Sequence, residues 1–325
     1  MKNKISYSSA ILKAFKYILK KEKNSFVIGQ GLWSPWYVGE TMKDLDKIFG
    51  KKRIIDSPVS ENAVTGIALG SSLNNSKPIC IHPRMDFMLL AVDQIVNQAA
   101  KWRSMLGGNS SSNLTIRSII NRGGEQGAQH SQSLHSWFAH IPGLVVVMPY
   151  SAVDAHDLLI ASVESNNPVI YIDDRWLYDG LGEIKKYKKI NILKQGPKIL
   201  KKGKDLTVVG CGWGTKIGFE LAGLLKENNN VDVELIDLRI LNPLKIEKIL
   251  RSVKKTRKLA VIDPAWKNCS ISSEIISSVH EKSNFKFLSK RFNLMNYPAP
   301  TAKNLEKLYY PNSKKIFLNI LKNFF

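Results

Sequence analysis

The chain has 325 residues, 44% hydrophobic and 23% charged, enough to bury the cores of two domains of a soluble globular protein. Its three cysteines form no CxxC pair, which excludes a disulfide framework and suits a reducing, cytoplasmic compartment, and no apolar run reaches the roughly 20 residues of a membrane span. The net charge of +21 is spread along the chain as lysine among Asn and Ile rather than gathered with aromatics, so it describes a solvated basic surface, not a nucleic-acid module; acidic partners and anionic substrates stay open.

The opening segment, MKNKISYSSAILKAFKYILKKEKNSFVIG, mixes lysines and apolar residues as a targeting peptide would. However, Ile11, Leu12, Phe15, Ile18 and Leu19 recur at helical spacing, Lys13 and Lys16 interrupt them, and no small-residue cleavage site follows. An ordinary N-terminal helix running into a strand is the expectation. The first half then alternates short β-branched runs (SFVIG, KRIID, KPICI, LTIRSII, LVVVMP, PVIYID) with stretches such as ENAVTGIALGSSL and MLLAVDQIVNQAAKWRSM, whose apolar residues recur at three and four. That alternation predicts an α/β fold with a mostly parallel sheet covered by helices.

Within this half, GAQHSQSLHSWFAHIPG places His130, His135 and His140 five residues apart. On a helix a step of five turns the chain by about 140°, so consecutive histidines leave different faces, whereas metal-binding helices use spacings of three or four. With Cys80, Cys211 and Cys269 isolated as well, no metal site is expected in this chain. Packing beside Trp137 and Phe138 accounts for one or two of the histidines but not for all three.

From Glu183 to Lys204 the chain turns lysine-rich, with Gly196, Pro197 and Gly203, and reads as a basic linker between a first domain of residues 1–182 and a second of 205–325. The second domain repeats the α/β pattern in DLTVVGCGWGTKIGFELAGLL, VDVELIDL, RKLAVID and SSEIISSVH. GCGWG, with Asp237 downstream, imitates a dinucleotide-binding fingerprint. Its glycines, Gly210, Gly212 and Gly214, follow GxGxG, and Thr215 holds the last glycine's place, so a tight strand-to-helix turn explains them better than NAD.

Four ordered segments, IIDSPVSENAVTGIALGSSL, KPICIHPRMDFMLLAVDQIVNQAAK, AQHSQSLHSWFAHIPGLVVVMPYSAVDAHDLL and NNPVIYID, resemble the β subunit of thiamine-diphosphate-dependent 2-oxo acid dehydrogenases of the pyruvate and branched-chain type. The resemblance runs over almost the whole chain and is strongest between Arg53 and Asp173. It implies a transketolase-like pyrimidine-binding domain followed by a transketolase C-terminal-like domain, each a mostly parallel sheet flanked by helices.

The same resemblance assigns roles. Glu61 matches the glutamate that protonates the cofactor's aminopyrimidine, a task that a burial-raised carboxyl pKa would serve; a helix-starting acid is its plainer reading. Phe87 matches the aromatic packed on that ring and Val59 an apolar residue near it. His130 matches a histidine of the active centre, able to steady anionic species or assist acyl transfer. His135 is expected at the entrance, facing substrate, and His140 is expected to be structural.

Departures from the family pattern accompany these matches. Pro83 replaces an apolar residue, Leu90 stands where glutamine is common, and Ser165 replaces the aspartate of a monovalent-cation site at the SVESNNP turn. Arg84 is a novelty beside the cofactor position, and a cation there favours an anionic substrate. Arg122 and Arg175 add to it or serve structure. The GDG…N motif that holds Mg²⁺ and the diphosphate does not occur. The resemblance therefore implies thiamine diphosphate shared with an α-type partner that holds the Mg²⁺, an α₂β₂ assembly, and transfer of an acyl group from a 2-oxo acid to a lipoyl-bearing acyltransferase. A split transketolase-like enzyme of sugar or surface-polysaccharide metabolism and a non-catalytic assembly paralogue are the alternatives.

Overall fold

The computed structural model describes residues 4–325; the first three residues of the opening segment lie outside it. The N-terminal helix is Tyr7–Lys21, started by Ser6, whose Oγ accepts a hydrogen bond from the backbone N–H of Ser9. Ile11, Phe15, Ile18 and Leu19 form its buried face against the helix Ala152–Val163. Burying a side chain such as Phe15 contributes about 1.5–3 kcal/mol, so this amphipathic stripe fixes the helix by packing rather than by propensity.

The first sheet has seven strands in the order Arg239–Asn242, Val145–Met148, Val169–Asp174, Thr115–Ile120, Lys77–His82, Ser25–Gly29 and Ile54–Asp56. All neighbours are parallel except the first pair. The central strand Thr115–Ile120 is buried at every position, as a strand covered by helices on both faces must be. The charge it carries is neutralised on the spot. Arg117 donates Nε and Nη2 to the two carboxylate oxygens of Asp173 at 2.9 and 2.8 Å, and Nη1 to Thr41 Oγ1 at 2.8 Å.

Helix Glu61–Leu73 lies beside strand Lys77–His82 and turns Thr65, Ala68, Leu69 and Ser72 inward. Its small inward residues let it sit close to the sheet. The second expected helix becomes a compound segment: a 3₁₀ turn Phe87–Ala91, a π-wound stretch Asp93–Ala99 and an α-helical end Ala100–Met105. The second sheet has five strands, ordered Leu288–Leu294, Lys258–Trp266, Leu206–Gly210, Val233–Asp237 and Lys198–Lys201, with only the last antiparallel.

Two features depart from a simple two-domain chain. Inside the 183–204 connection, Lys198–Lys201 forms the edge of the second sheet, and the preceding Leu181–Glu183 pairs with Lys4–Ser6. Arg239–Asn242, from the second half of the sequence, closes the first sheet antiparallel to Val145–Met148. Both are four-residue edge strands, too short to show a period. Their place is set by which sheet leaves a backbone edge unpaired.

Candidate functional site

Ligands of parallel α/β sheets meet the crevice beyond the carboxyl ends of the strands. In the first sheet these ends lead into Gln30, Ser57 and Pro58, Pro83 and Arg84, Arg122, and Arg175. Gly29 keeps this edge tight, because a Cβ there would lie 2.4 Å from the carbonyl oxygen of Ile81 on the neighbouring strand.

Glu61 is the first residue of its helix and lines a small recess with Gly29, Gln30, Pro58, His82 and Pro83. It is half-buried, and its carboxylate makes no hydrogen bond or ion pair with any described residue. The helix N-terminus favours its negative charge by about 0.3–1 kcal/mol. His82, on the wall of the recess, is fully buried; its Nε2 lies 3.1 Å from Thr65 Oγ1, and burial pushes its pKa down to about 4. It is therefore a neutral wall residue near pH 7. Val59, two residues before Glu61, is 68% exposed.

Phe87 and His130 meet edge-on, with ring centroids 5.3 Å apart and planes at 84°. Strand Lys77–His82 and the Arg84–Asp86 turn deliver Phe87, while His130 sits on a loop that bends through positive φ at Gly123, Gly124, Glu125 and Gly127. Asp86 ties the two together: its Oδ1 accepts hydrogen bonds from Gln132 N at 3.1 Å and Gln132 Nε2 at 3.0 Å. Burial raises the pKa of Asp86, against the opposing effect of the Gln132 hydrogen bonds and the His130 charge. Asp86 was not visible as a site residue in the sequence. Its one signal was an acid in an apolar run immediately before Phe87.

The three arginines separate. Arg122 is buried and committed, donating Nε to Asp174 Oδ2 at 2.8 Å, Nη1 to Pro264 O at 3.0 Å and Nη2 to Ser133 Oγ at 3.3 Å. It serves structure, across the two halves of the chain. Arg175 donates Nη2 to the carbonyl of Tyr37, and its buried Nε has no partner. The Arg84 guanidinium makes no hydrogen bond with any described residue, and its Nη1 is buried without a partner.

His135 corrects the expectation of a residue at the entrance. It is completely buried, with Nδ1 3.0 Å from Ser133 Oγ and Nε2 2.9 Å from Asp263 Oδ1 in the second half. Packing between the two halves leaves it no surface for a substrate. His140 is exposed at the end of the short helix His135–Ala139, so the histidine stretch is a loop, one helical turn and a helix end rather than one helix. Ligating atoms of His135, Cys211 and Asp263 do lie within 4.8 Å of one another. Both ring nitrogens are already hydrogen-bonded, and burial, followed by the charges of Asp263 and Asp237, pushes the Cys211 thiol well above its usual range, so the thiolate that a metal requires is disfavoured.

In the second half, the GCGWG turn is filled by protein. A Cβ on Gly214 would lie 2.3 Å from the carbonyl oxygen of Ile262, and Asp237 is fully buried, accepting from Thr215 Oγ1 at 2.9 Å. That carboxylate is turned away from any ribose.

Comparison with known proteins finds two family matches along the chain. Residues 3–179 match the family described as transketolase, pyrimidine binding domain, and residues 197–316 match transketolase, C-terminal domain. Pyruvate dehydrogenase E1 component subunit beta of Rhizobium meliloti is 33% identical over 92% of this chain, which spans 65% of that longer protein. Acetoin:2,6-dichlorophenolindophenol oxidoreductase subunit beta of Bacillus subtilis is 34% identical, covering 96% of this chain and 95% of its own. The beta subunit of 2-oxoisovalerate dehydrogenase from Dictyostelium discoideum is 31% identical over 99% of this chain and 87% of its own. Among solved structures, a split gene transketolase, an inactive beta4 tetramer, superposes with a TM-score of 0.79 at 17% identity, covering 98% of both chains, a likeness of fold.

Proposed function

The chain belongs to the family of β subunits of thiamine-diphosphate-dependent 2-oxo acid dehydrogenases, and we propose that it contributes the pyrimidine half of a shared active site to an α₂β₂ enzyme. The observation that carries the reading is Glu61: a carboxyl group without a protein partner, at a helix start, in a recess lined by His82 and Pro83 of the segment that leads to Phe87, whose ring meets His130. An acid, an aromatic face and an imidazole are the donor set that an aminopyrimidine ring and a 2-oxo acid require.

When bound, thiamine diphosphate supplies the nucleophilic carbon and the electron sink for decarboxylation. In this reading Glu61 holds a proton at a ring nitrogen of the pyrimidine, and Phe87 and Val59 cover the ring. His130 directs its imidazole toward the substrate oxygen and steadies charge that develops there. Asp86 and Gln132 position the loop that carries His130.

The α-type partner holds the Mg²⁺ and the diphosphate, for which this chain has no GDG motif. Val59 and Leu90, 68% and 64% exposed on the segments that carry Glu61 and Phe87, are apolar surface for that partner to cover. Its docking would also complete the burial of Glu61, which is half-buried in this chain alone. The oxidised disulfide of a lipoyl carrier serves as both electron acceptor and acyl acceptor. Two of the three free cysteines are buried, which favours the reducing cytoplasm as the place of action; no helix among the described residues is long and apolar enough to cross a membrane.

The test is to co-express this chain with its α-type partner and follow decarboxylation of a panel of 2-oxo acids with an artificial electron acceptor. Turnover that needs both chains, Mg²⁺ and thiamine diphosphate upholds the reading. A complex that binds the cofactor yet decarboxylates nothing overturns it in favour of carbon transfer between sugars. A complex that binds no cofactor leaves an assembly subunit.

A further inference from the structure

Three arginines follow the ends of three adjacent strands: Arg84 after Lys77–His82, Arg122 after Thr115–Ile120 and Arg175 after Val169–Asp174. The middle one is neutralised by Asp174 at 2.8 Å. The outer two form no ion pair with any described acid, and each keeps a buried nitrogen, Arg84 Nη1 and Arg175 Nε, without a hydrogen-bond partner. Their backbones stand two strand spacings apart, about 9–10 Å. Tyr37 lies beside both: its carbonyl accepts from Arg175, and its phenol group is near Arg84. Asp86 is also close to Arg84, but its hydrogen-bonded oxygen faces Gln132.

We propose that Arg84 and Arg175 receive a second, non-reacting anionic group at the far end of the substrate, so that the substrate is a 2-oxo acid whose side chain ends in a carboxylate or a phosphate-type group. This rests on the proposed 2-oxo acid chemistry. Two half-buried cations brought together without a protein counter-ion carry a desolvation and repulsion cost that a bound anion removes. The reacting carboxylate is a poor candidate for that anion, because it loses its charge as carbon dioxide departs. Two arginines gripping it would stabilise the ground state more than the transition state and slow the reaction. A remote anion keeps its charge throughout, and holding it strengthens binding without opposing the chemistry. Arg also offers the forked geometry that matches carboxylate and phosphate oxygens.

The experiment uses the complete complex with its α-type partner. It compares kcat/KM for 2-oxopentanoate, which ends in a methyl group, with 2-oxoglutarate and with a phosphonate-ended 2-oxo acid of similar length. The expected result is an advantage of more than about tenfold for one of the anionic ends; which of the two wins assigns carboxylate or phosphate. In Arg84→Met and Arg175→Met that ratio collapses toward one, and because both substrates are measured on the same variant, a partial loss of folded protein cancels. No advantage in the unmodified complex, or an advantage that survives both substitutions, overturns the inference and leaves the 2-oxo acid reading standing. If no 2-oxo acid is turned over, that reading falls, and calorimetric binding of glutarate against pentanoate decides the arginine site by itself. Selective glutarate binding that both variants lose supports it, and equal binding of the two overturns it.

Discussion

His135 Nε2 lies 2.9 Å from Asp263 Oδ1, and both side chains are sealed from solvent. The contact joins residues 128 positions apart in the chain. It is the centre of a chain of hydrogen bonds from Asp174 through Arg122, Ser133 and His135 to Asp263, whose other oxygen accepts from Ser272 N at 3.2 Å. The loop that presents His130 is thus anchored to the second half only five residues from the histidine itself. A connected buried network rigidifies what it touches and penalises the loss of any one member.

Replacing His135 with Ala should therefore cost about 2–4 kcal/mol of stability, because Asp263 loses its partner inside the protein. Asp263→Asn should cost less, and the double substitution less than the sum. Urea unfolding of the four proteins measures this. Additive losses would mean that the two residues act independently.

Glu61→Gln should leave the unfolding midpoint within about 0.5 kcal/mol, since the carboxylate has no partner among the described residues. Turnover of the reconstituted complex should fall by about a hundredfold or more, the scale of a lost acid–base group. Near-normal turnover would remove Glu61 from the chemistry.

His130→Ala should impair turnover far more than His140→Ala. His130 touches Phe87 across 5.3 Å in the crevice, whereas His140 is exposed at a helix end. Steady-state rates of both variants decide it, and the reverse ranking would refute the role given to His130.

Asp237 sets a pH dependence. Burial, and then the nearby charge of Asp154, push its pKa up to about 7 from an ordinary 3.8, against the Thr215 hydrogen bond and the charges of Arg239 and Lys198. Between those two values the folded protein keeps a proton that the unfolded chain releases, so this group's contribution to stability falls as pH rises through that window and stays low above it. Asp237→Asn keeps the acceptor for Thr215 and removes the charge. It should be more stable than the parent by about 2–4 kcal/mol at pH 8.5, with little difference near pH 4. Equal midpoints at pH 8.5 would show that Asp237 is ionised at no cost.

Much of the architecture could be read in advance because it is written in local periods. SFVIG and ENAVTGIALGSSL became the strand Ser25–Gly29 and the helix Glu61–Leu73 with the same bounds, since alternation or a three-four repeat extends over enough residues to be seen. The strands Lys198–Lys201 and Arg239–Asn242 carry four residues each and no visible period. Phe87 and His130 could be singled out by their segments. Their edge-on contact, and the Asp86–Gln132 tie that enforces it, could not, because hydrogen bonds between residues 46 positions apart leave no local trace. His135 was misplaced for a related reason: spacing along the chain says nothing of which side of a loop faces the other half of the molecule.

The sequence by itself determined the alternation of strands and helices, the parallel sheets that follow from it, and the ordered segments by which the family is known. Each depends on residues close together in the chain, where backbone geometry turns spacing directly into direction. Only the tertiary structure decided which charges are spent and which are free. Arg84, Arg122 and Arg175 look equivalent as letters, yet the fold brings Asp174 to Arg122 alone and leaves the outer two with buried, unpartnered nitrogens. The energy of a buried charge depends on what the fold places within a few ångströms of it, and that distance is set by sheet order and loop paths rather than by sequence neighbours.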